Sequence, residues 1–433
     1  MKGETMARNS WLRIASAAAT AVLVAAGMAA CGGDAATTSG PSTLDDGAAL
    51  TLWTRAATES VSKAYAEAYN KTHKNQVQVT AYPNEEYPAK LASAAGAKAL
   101  PDMFASDVVF APQYASQGLW LDLTDRFAAL PVKDKIAPAH VRAGTWKGKN
   151  YAVPHTIDMS VMLYNKDLYT RAGLDPDKPP TTLAEFADQA RKINKLGGDV
   201  HGTYFGGNCG GCIEFTLWPS VWASGGDVLN ADGTAATIDS KDMAGVFGVY
   251  KSLYDEGVAA PASKDEAGPT WLGALQSGKI GIAPGPSVWL GLIEEKGVKM
   301  GVAPIPGLTG GASTFVGGDA IGIGATSGKA AQAWDFLSWT MSDDAQVEVI
   351  AKNKGVPTRT DLAANKYSSA DPRIVTINGI VAKGKTPYAQ NFNASFNDPQ
   401  SPWLATVRGA LFGDPAKALT DGNAAITKSL QQS

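Results

Sequence analysis

Residues 50–82 carry the pattern that most restricts how this chain can fold. A short apolar run, LTLW at 50–53, precedes a stretch in which Val61, Ala64, Tyr65, Ala68 and Tyr69 recur at i, i+3, i+4, i+7 and i+8, one face of a helix. Residues 76–82 then alternate, with Val77, Val79 and Ala81 on one side and Gln78 and Thr80 on the other, as a half-buried strand does. A strand, a helix and a strand in that order imply a parallel sheet with a right-handed crossover. Ligands of such sheets sit beyond the carboxyl ends of the strands. Trp53, Arg55 and Glu59 fall at the first such end, and Tyr82 at the second.

The rest of the chain continues in α/β style. LPDMFASD at 100–107 reads as a strand ending on the carboxylate of Asp107, on the same rim as Trp53. WKGK at 146–149 reads as a hairpin turn feeding YAVPHTIDMSVMLYNKD at 151–167, the stretch expected to pass from one lobe to another. Its parts are expected to be an exposed crossover at 155–158, followed by the first buried strand of the second lobe. Thr182 and Glu185 form a capping box for a helix whose face is Leu183, Phe186, Ala187, Ala190 and Ile193. Residues 202–226, rich in glycine and aromatics, read as a loop. Residues 242–256 and the segment from Trp271 read as helices, and 279–283 as a strand with GPSVW at its carboxyl end. A strand through Gly317, Gly318 and Asp319 leads to a helix burying Ala333, Trp334 and Leu337. KGVPTRTDL, which holds Arg359, follows as a turn, and the last third is helical, broken by prolines.

At 433 residues the chain is long for one hydrophobic core, and two domains are expected. Its formal charge of −3 gives no basic excess for a nucleic-acid partner. Lys2, Arg8 and Arg13 precede an apolar run at 14–30 that stops on small residues before Cys31, the form of a secretory signal. MAAC resembles a bacterial lipobox, which implies a signal peptide over 1–30 and a lipid on Cys31. A flexible tether over 31–47 follows. A plain transmembrane anchor is the alternative, since the run sits at the lower edge of the roughly 17–25 residues a span needs.

Cys209 and Cys212 make a C-x-x-C pair. At a helix start such a pair does redox work. Placed in a glycine-rich loop of an exported chain, it reads instead as a local disulfide. A zinc site lacks a second Cys or His pair nearby.

Taken in order, MAAC, LTLWTR, PDMFASD, YAVPHTIDMSVMLYNKDLYTRAGLD, LQSGKIGIAPGP and SGKAAQAWDFLSWTMSDDAQ followed by KGVPTR resemble the extracellular solute-binding proteins of ABC importers, in the sugar-binding group that includes maltose-binding protein. The resemblance implies a periplasmic-binding-protein-like α/β fold of two lobes, each a mixed, mostly parallel sheet flanked by helices, the lobes being joined by hinge crossovers. One lobe would comprise 48–153 and 313–342, and the other 154–312 and 343–433. Crossing segments would lie near 153–158, 303–315 and 341–345. It further implies a monomer that encloses a carbohydrate, docks on a membrane permease, and needs no cofactor, metal or catalytic residue.

Sugars are recognised by aromatic faces and by planar polar groups on an apolar lining. Trp53, Trp218, Trp222, Trp271 and Trp289 are the candidate aromatics, with core packing as the alternative for each. Asp107 and Asp158 are candidate hydroxyl acceptors or helix caps, and Glu59 is a candidate contact or a first-turn dipole partner. Arg55 and Arg359 suit bidentate contacts, although an interlobe ion pair explains Arg359 as well. Gly317, Gly318 and Asp319 would let backbone approach the ligand or make a turn. His155 would point into the cleft, and Tyr82 joins Trp53 on the rim. Two other readings stay open: a glycoside hydrolase, which needs two carboxylates about 5–10 Å apart, and the same fold binding a peptide, polyamine or metal ion.

Overall fold

The computed structural model describes residues 44–432 apart from Glu85. Cys31, the segment read as a signal peptide and most of the tether lie outside the described residues. β1 (Ala49–Arg55), α1 (Glu59–Asn70) and β2 (Gln76–Tyr82) form the strand–helix–strand unit. β1 and β2 run parallel, in register from Ala49 opposite Gln76 to Arg55 opposite Tyr82. The apolar face of α1 buries Tyr65 and Tyr69 against Leu50, Leu52, Met103, Phe336 and Leu337, because only that face can leave water. β3 (Met103–Asp107) lies parallel on the other side of β1.

β4 (Thr145–Trp146) and β5 (Lys149–Asn150) close the WKGK hairpin. Its two central residues, Lys147 and Gly148, have φ of 47° and 76°, the left-handed pair a two-residue hairpin turn requires. The chain then enters β6 (Val153–Asn165), and the later strands are β7 (Ile282–Pro286), β8 (Met300–Ala303) and β9 (Val316–Ile323). The sheet order is β2-β1-β3-β9-β6-β7, with β8 also paired to β6.

β6 is where the sequence reading needs correcting. The stretch 155–158 is not an exposed connection but the middle of one continuous strand. Val153–Met159 pairs antiparallel with β9, and Ser160–Asn165 pairs with β7 and β8. The passage between lobes is thus a change of partners along one strand, after Met159. Its backbone groups stay in ladders on both sides of that point, which removes the need for a solvated link.

The segment expected to cross near 341–345 does not leave the first lobe there. Ala345, Val349 and Ile350 bury in the same core as Tyr65 and Leu337, and Gln346 donates from Nε2 to Tyr65 Oη at 2.9 Å. The chain has joined the second lobe by Ile377, Ile380 and Val381, which pack with Val161, Leu163 and Ala283.

The glycine- and aromatic-rich stretch at 202–226 holds a helix, α2 (Gly210–Ala223), rather than only loop. Ile213, Glu214, Leu217, Trp218, Val221 and Trp222 are all buried, so α2 has no polar stripe and shows no amphipathic period. Gly210, Gly211 and the internal Pro219 read as breakers in sequence, yet packing outweighs their propensity cost.

Candidate interlobe binding cleft

A cavity of about 450 Å3 lies between the lobes. One wall comes from strand ends. Arg55 closes β1 and Asp107 closes β3, at the carboxyl rim where such sheets take ligands. Thr156 and Asp158 of β6 and Gly317 and Gly318 of β9 form the floor. The facing wall is the start of α2, with Gly211, Glu214 and Phe215, joined by Phe315, Phe392 and Asn397.

Arg55 organises the polar side. Its Nε donates to Asp319 Oδ1 at 2.7 Å, its Nη2 approaches the same oxygen at 2.5 Å, and its Nη1 lies 3.1 Å from Asp107 Oδ2. Thr58 Oγ1 donates to Asp319 Oδ2 at 2.5 Å, and the Asp319 amide donates to Thr156 Oγ1 at 2.9 Å. Burial disfavours the charged guanidinium, but Asp107 and Asp319 outweigh it and keep Arg55 protonated. Burial raises the Asp107 carboxyl against the opposing pull of Arg55. It pushes Asp158 up to about 6 and Glu214 well above the usual range, with the Asp107 charge adding to the latter.

Gly318 is held to glycine by geometry. Its φ is +101°, and a Cβ there would meet the Thr156 carbonyl oxygen at 2.2 Å. The backbones of β6 and β9 pack too closely there to admit a side chain.

Two lobes joined by a shared strand, with strand-end polar groups and phenylalanines around one cavity, have the form of a solute-binding cleft. Residues 64–376 match the family described as bacterial extracellular solute-binding protein. The chain belongs to that family.

Among relatives, this solute-binding protein is 28% identical over 225 residues to proteins of Brucella abortus and Brucella suis, a match over 51% of this chain and 53% of theirs. The chain thus spans about half the length of those curated relatives. It is 25% identical over 418 residues to the diacetylchitobiose binding protein DasA of Streptomyces coelicolor, covering 90% of this chain and 93% of that one. The crystal structure of the cyclic alpha-maltosyl-1,6-maltose binding protein from Arthrobacter globiformis superposes with a TM-score of 0.76 at 24% identity, over 88% of this chain and 99% of that one. The fold of this solute-binding protein is therefore the two-lobed one of periplasmic binding proteins.

Five of the residues singled out in sequence line the cleft: Arg55, Asp107, Asp158, Gly317 and Gly318. Asp319 does not. It is fully buried behind Arg55, because its carboxylate is needed to hold the guanidinium. The tryptophans lie elsewhere. Trp218 is fully buried in α2, 5.2 Å from the Phe396 ring and 5.3 Å from Trp403, and Trp222 packs beside it. Trp271 is buried edge-on to Trp289 at 5.2 Å. Trp53 and Tyr82 meet edge-on at 5.1 Å with Lys90 over both rings, outside the cavity lining.

Glu59 pairs with Lys63 on the outer face of α1. Arg359 is buried and bound to Asp343 and Asp361, pinning the turn after the KGVPTR motif. His155 is fully buried rather than turned into the main cleft. Its Nε2 meets Ser62 Oγ at 2.8 Å, and its ring lies 5.5 Å from Tyr65. Burial pulls it down to about 4, so it is neutral at physiological pH. His140, also buried, is pulled down to about 4 and meets the Gly317 carbonyl through Nε2 at 3.0 Å.

Cys209 and Cys212 form a disulfide with an S–S distance of 1.95 Å. They sit at the start of α2, with Cys209 as its cap, and not inside a loop. Glu214, Phe215, Phe315, Phe392 and Asn397 are among the cleft residues that were not expected from the sequence. A lone acid in the apolar run IEFTLWPSVWA was the available signal for Glu214. Among the described residues no group of three or more His, Cys, Asp or Glu is placed to hold a metal ion, and no helix is long and apolar enough to cross a membrane.

Proposed function

We propose that this protein is the lipid-anchored substrate-binding subunit of an ABC importer and that it captures a di- or oligosaccharide between its lobes. One observation carries this reading. The cavity is lined by Phe215, Phe315 and Phe392 together with Arg55, Asp107, Asp158 and Asn397, which is the combination of residue types a sugar's C–H surface and hydroxyls call for. The names of DasA and the Arthrobacter protein, both sugar binders, support it. Bending of β6 and β9 brings the lobes together, and the ligand favours the closed form by its differential affinity. The closed lobes then dock on a membrane permease, with the lipid on Cys31 keeping the protein at the outer face of the membrane.

A thermal-shift screen over mono- and oligosaccharides, peptides and polyamines tests the ligand class, since a ligand that binds only the native state raises its stability. A shift with a peptide or polyamine and with no sugar refutes the carbohydrate reading. Release of cleavage products from an oligosaccharide would make the protein a hydrolase instead. Mass spectrometry of the mature N-terminus, with Cys31→Ala as control, tests the anchor: an unlipidated Cys31 refutes it.

A further inference from the structure

The charges around the cleft do not balance. Arg55 is the one cationic side chain lining it among the described residues, and Arg55 is already bound to Asp319 and Asp107. That leaves Glu214 without a positive partner, and Asp158 with no ion pair of its own beyond the more distant pull of Arg55. Asp158 Oδ1 accepts only the amide of Met159, at 2.9 Å. Glu214 comes from the opposite wall, on the second turn of α2. It is 2% exposed, lines the cavity, and its Oε1 is buried with no hydrogen-bond partner.

An unpaired carboxylate in such a place is costly, and proteins normally supply it with a cation or a donor. A neutral hydroxyl satisfies the lone pairs but does nothing to offset the burial that disfavours ionisation of these carboxyls. An ammonium supplies three donors and the opposite charge together. A bare metal ion is a poor fit, because no three acidic or imidazole groups here converge on one point. The flanking rings of Phe215, Phe315 and Phe392 favour a cation carried on a ring with an apolar face, where cation–π attraction adds to stacking.

We propose that the cleft prefers an amino sugar, a carbohydrate with a free protonated amine, over its neutral counterpart, and that Glu214 and Asp158 are the carboxyl groups that read the amine. This rests on the carbohydrate reading above.

Isothermal titration calorimetry near neutral pH tests it with four probes: the β-1,4-linked glucosamine disaccharide, its N-acetylated form, maltose and spermidine. The expected result is that the free amine disaccharide binds at least about tenfold tighter than the acetylated one. Glu214→Gln should shrink that ratio by about tenfold, the scale of a desolvated charge pair. Asp158→Asn should shrink it as well, and a circular-dichroism melt of each variant checks that it is folded. Equal or tighter binding of the acetylated sugar or maltose overturns the amine preference and leaves the carbohydrate reading standing. A ratio unchanged in both folded variants overturns the assignment to these two residues. Binding of spermidine alone, or of none of the four, removes the amine inference, and spermidine alone removes the carbohydrate reading with it.

Discussion

Arg55 and Asp319, far apart in sequence, are joined by two contacts to one carboxylate oxygen, from Nε at 2.7 Å and Nη2 at 2.5 Å, and Asp319 is fully buried. The pair fixes the end of β1 to β9 across the intervening β3. Breaking a buried pair from one side leaves the other charge uncompensated. Arg55→Met is therefore expected to lower unfolding free energy by about 3–5 kcal/mol, read from urea denaturation midpoints, and to weaken ligand binding as well. A change below about 1 kcal/mol would show that Asp319 finds another partner or protonates at little cost.

Asp158 should trade stability for binding. Its folded pKa of about 6 lies above the unfolded value near 3.9, so its ionised form is disfavoured by folding. That penalty is fully present above pH 6 and disappears as pH falls toward 4. In the ligand-free protein Asp158→Asn should therefore gain up to about 3 kcal/mol near neutrality, with the gain shrinking in acid. His140 and His155 work the other way in the same window. Their folded values of about 4 lie below the usual 6.5, so the stability they contribute is present above pH 6.5 and lost as pH falls toward 4. The difference between variant and parent at each pH cancels the histidines. A difference that does not vary between pH 4 and 7 would contradict the shift assigned to Asp158.

Phe215 and Trp289 separate cleft aromatics from core ones. Phe215 lines the cavity, and Phe215→Ala should weaken the best ligand by ten- to a hundredfold, the scale of about 1–3 kcal/mol for a stacked ring. Trp289 packs on Trp271 outside the lining, and Trp289→Phe should leave affinity within about twofold. The reverse pattern in titration calorimetry would put the site at the other aromatic pair.

Gly318→Ala places a Cβ 2.2 Å from the Thr156 carbonyl in a left-handed backbone. The expected loss is about 2–3 kcal/mol in urea unfolding. A neutral result would mean that β6 and β9 can separate there without cost.

Much of the first lobe was legible because its signals are local. α1 has one apolar face, Arg55 and Asp107 fall where strand-end rules put ligand contacts, and Gly317 and Gly318 mark a close approach of backbone. α2 was hidden because it is buried all round, so burial erased the periodicity that marks a surface helix. Tryptophan content pointed at the cleft, but Trp218 and Trp222 instead anchor the second lobe's core. Sequence does not separate a ring packed on other rings from one that waits for a ligand. His155 fell on the predicted crossing but inside a strand, facing α1. The choice between cleft and core there depends on pairing with β9, far along the chain.

That pairing also sets the order in which the molecule can be completed. β9 lies between β3 and β6, so the first lobe's sheet cannot close until the chain has been made through Ile323. Until then β3 has an open edge, and the half of β6 that will face β9 is bare, the kind of surface that invites wrong pairing. A nascent chain emerging through a membrane would assemble the second lobe's strands first and stitch the first lobe shut afterwards. Hydrogen exchange on nascent chains arrested before Val316 and after Ile323 should find Met162–Tyr164 protected in both and Phe104–Ser106 fully protected only in the longer. Full protection of Phe104–Ser106 in the shorter chain would mean that the first lobe's sheet closes without β9.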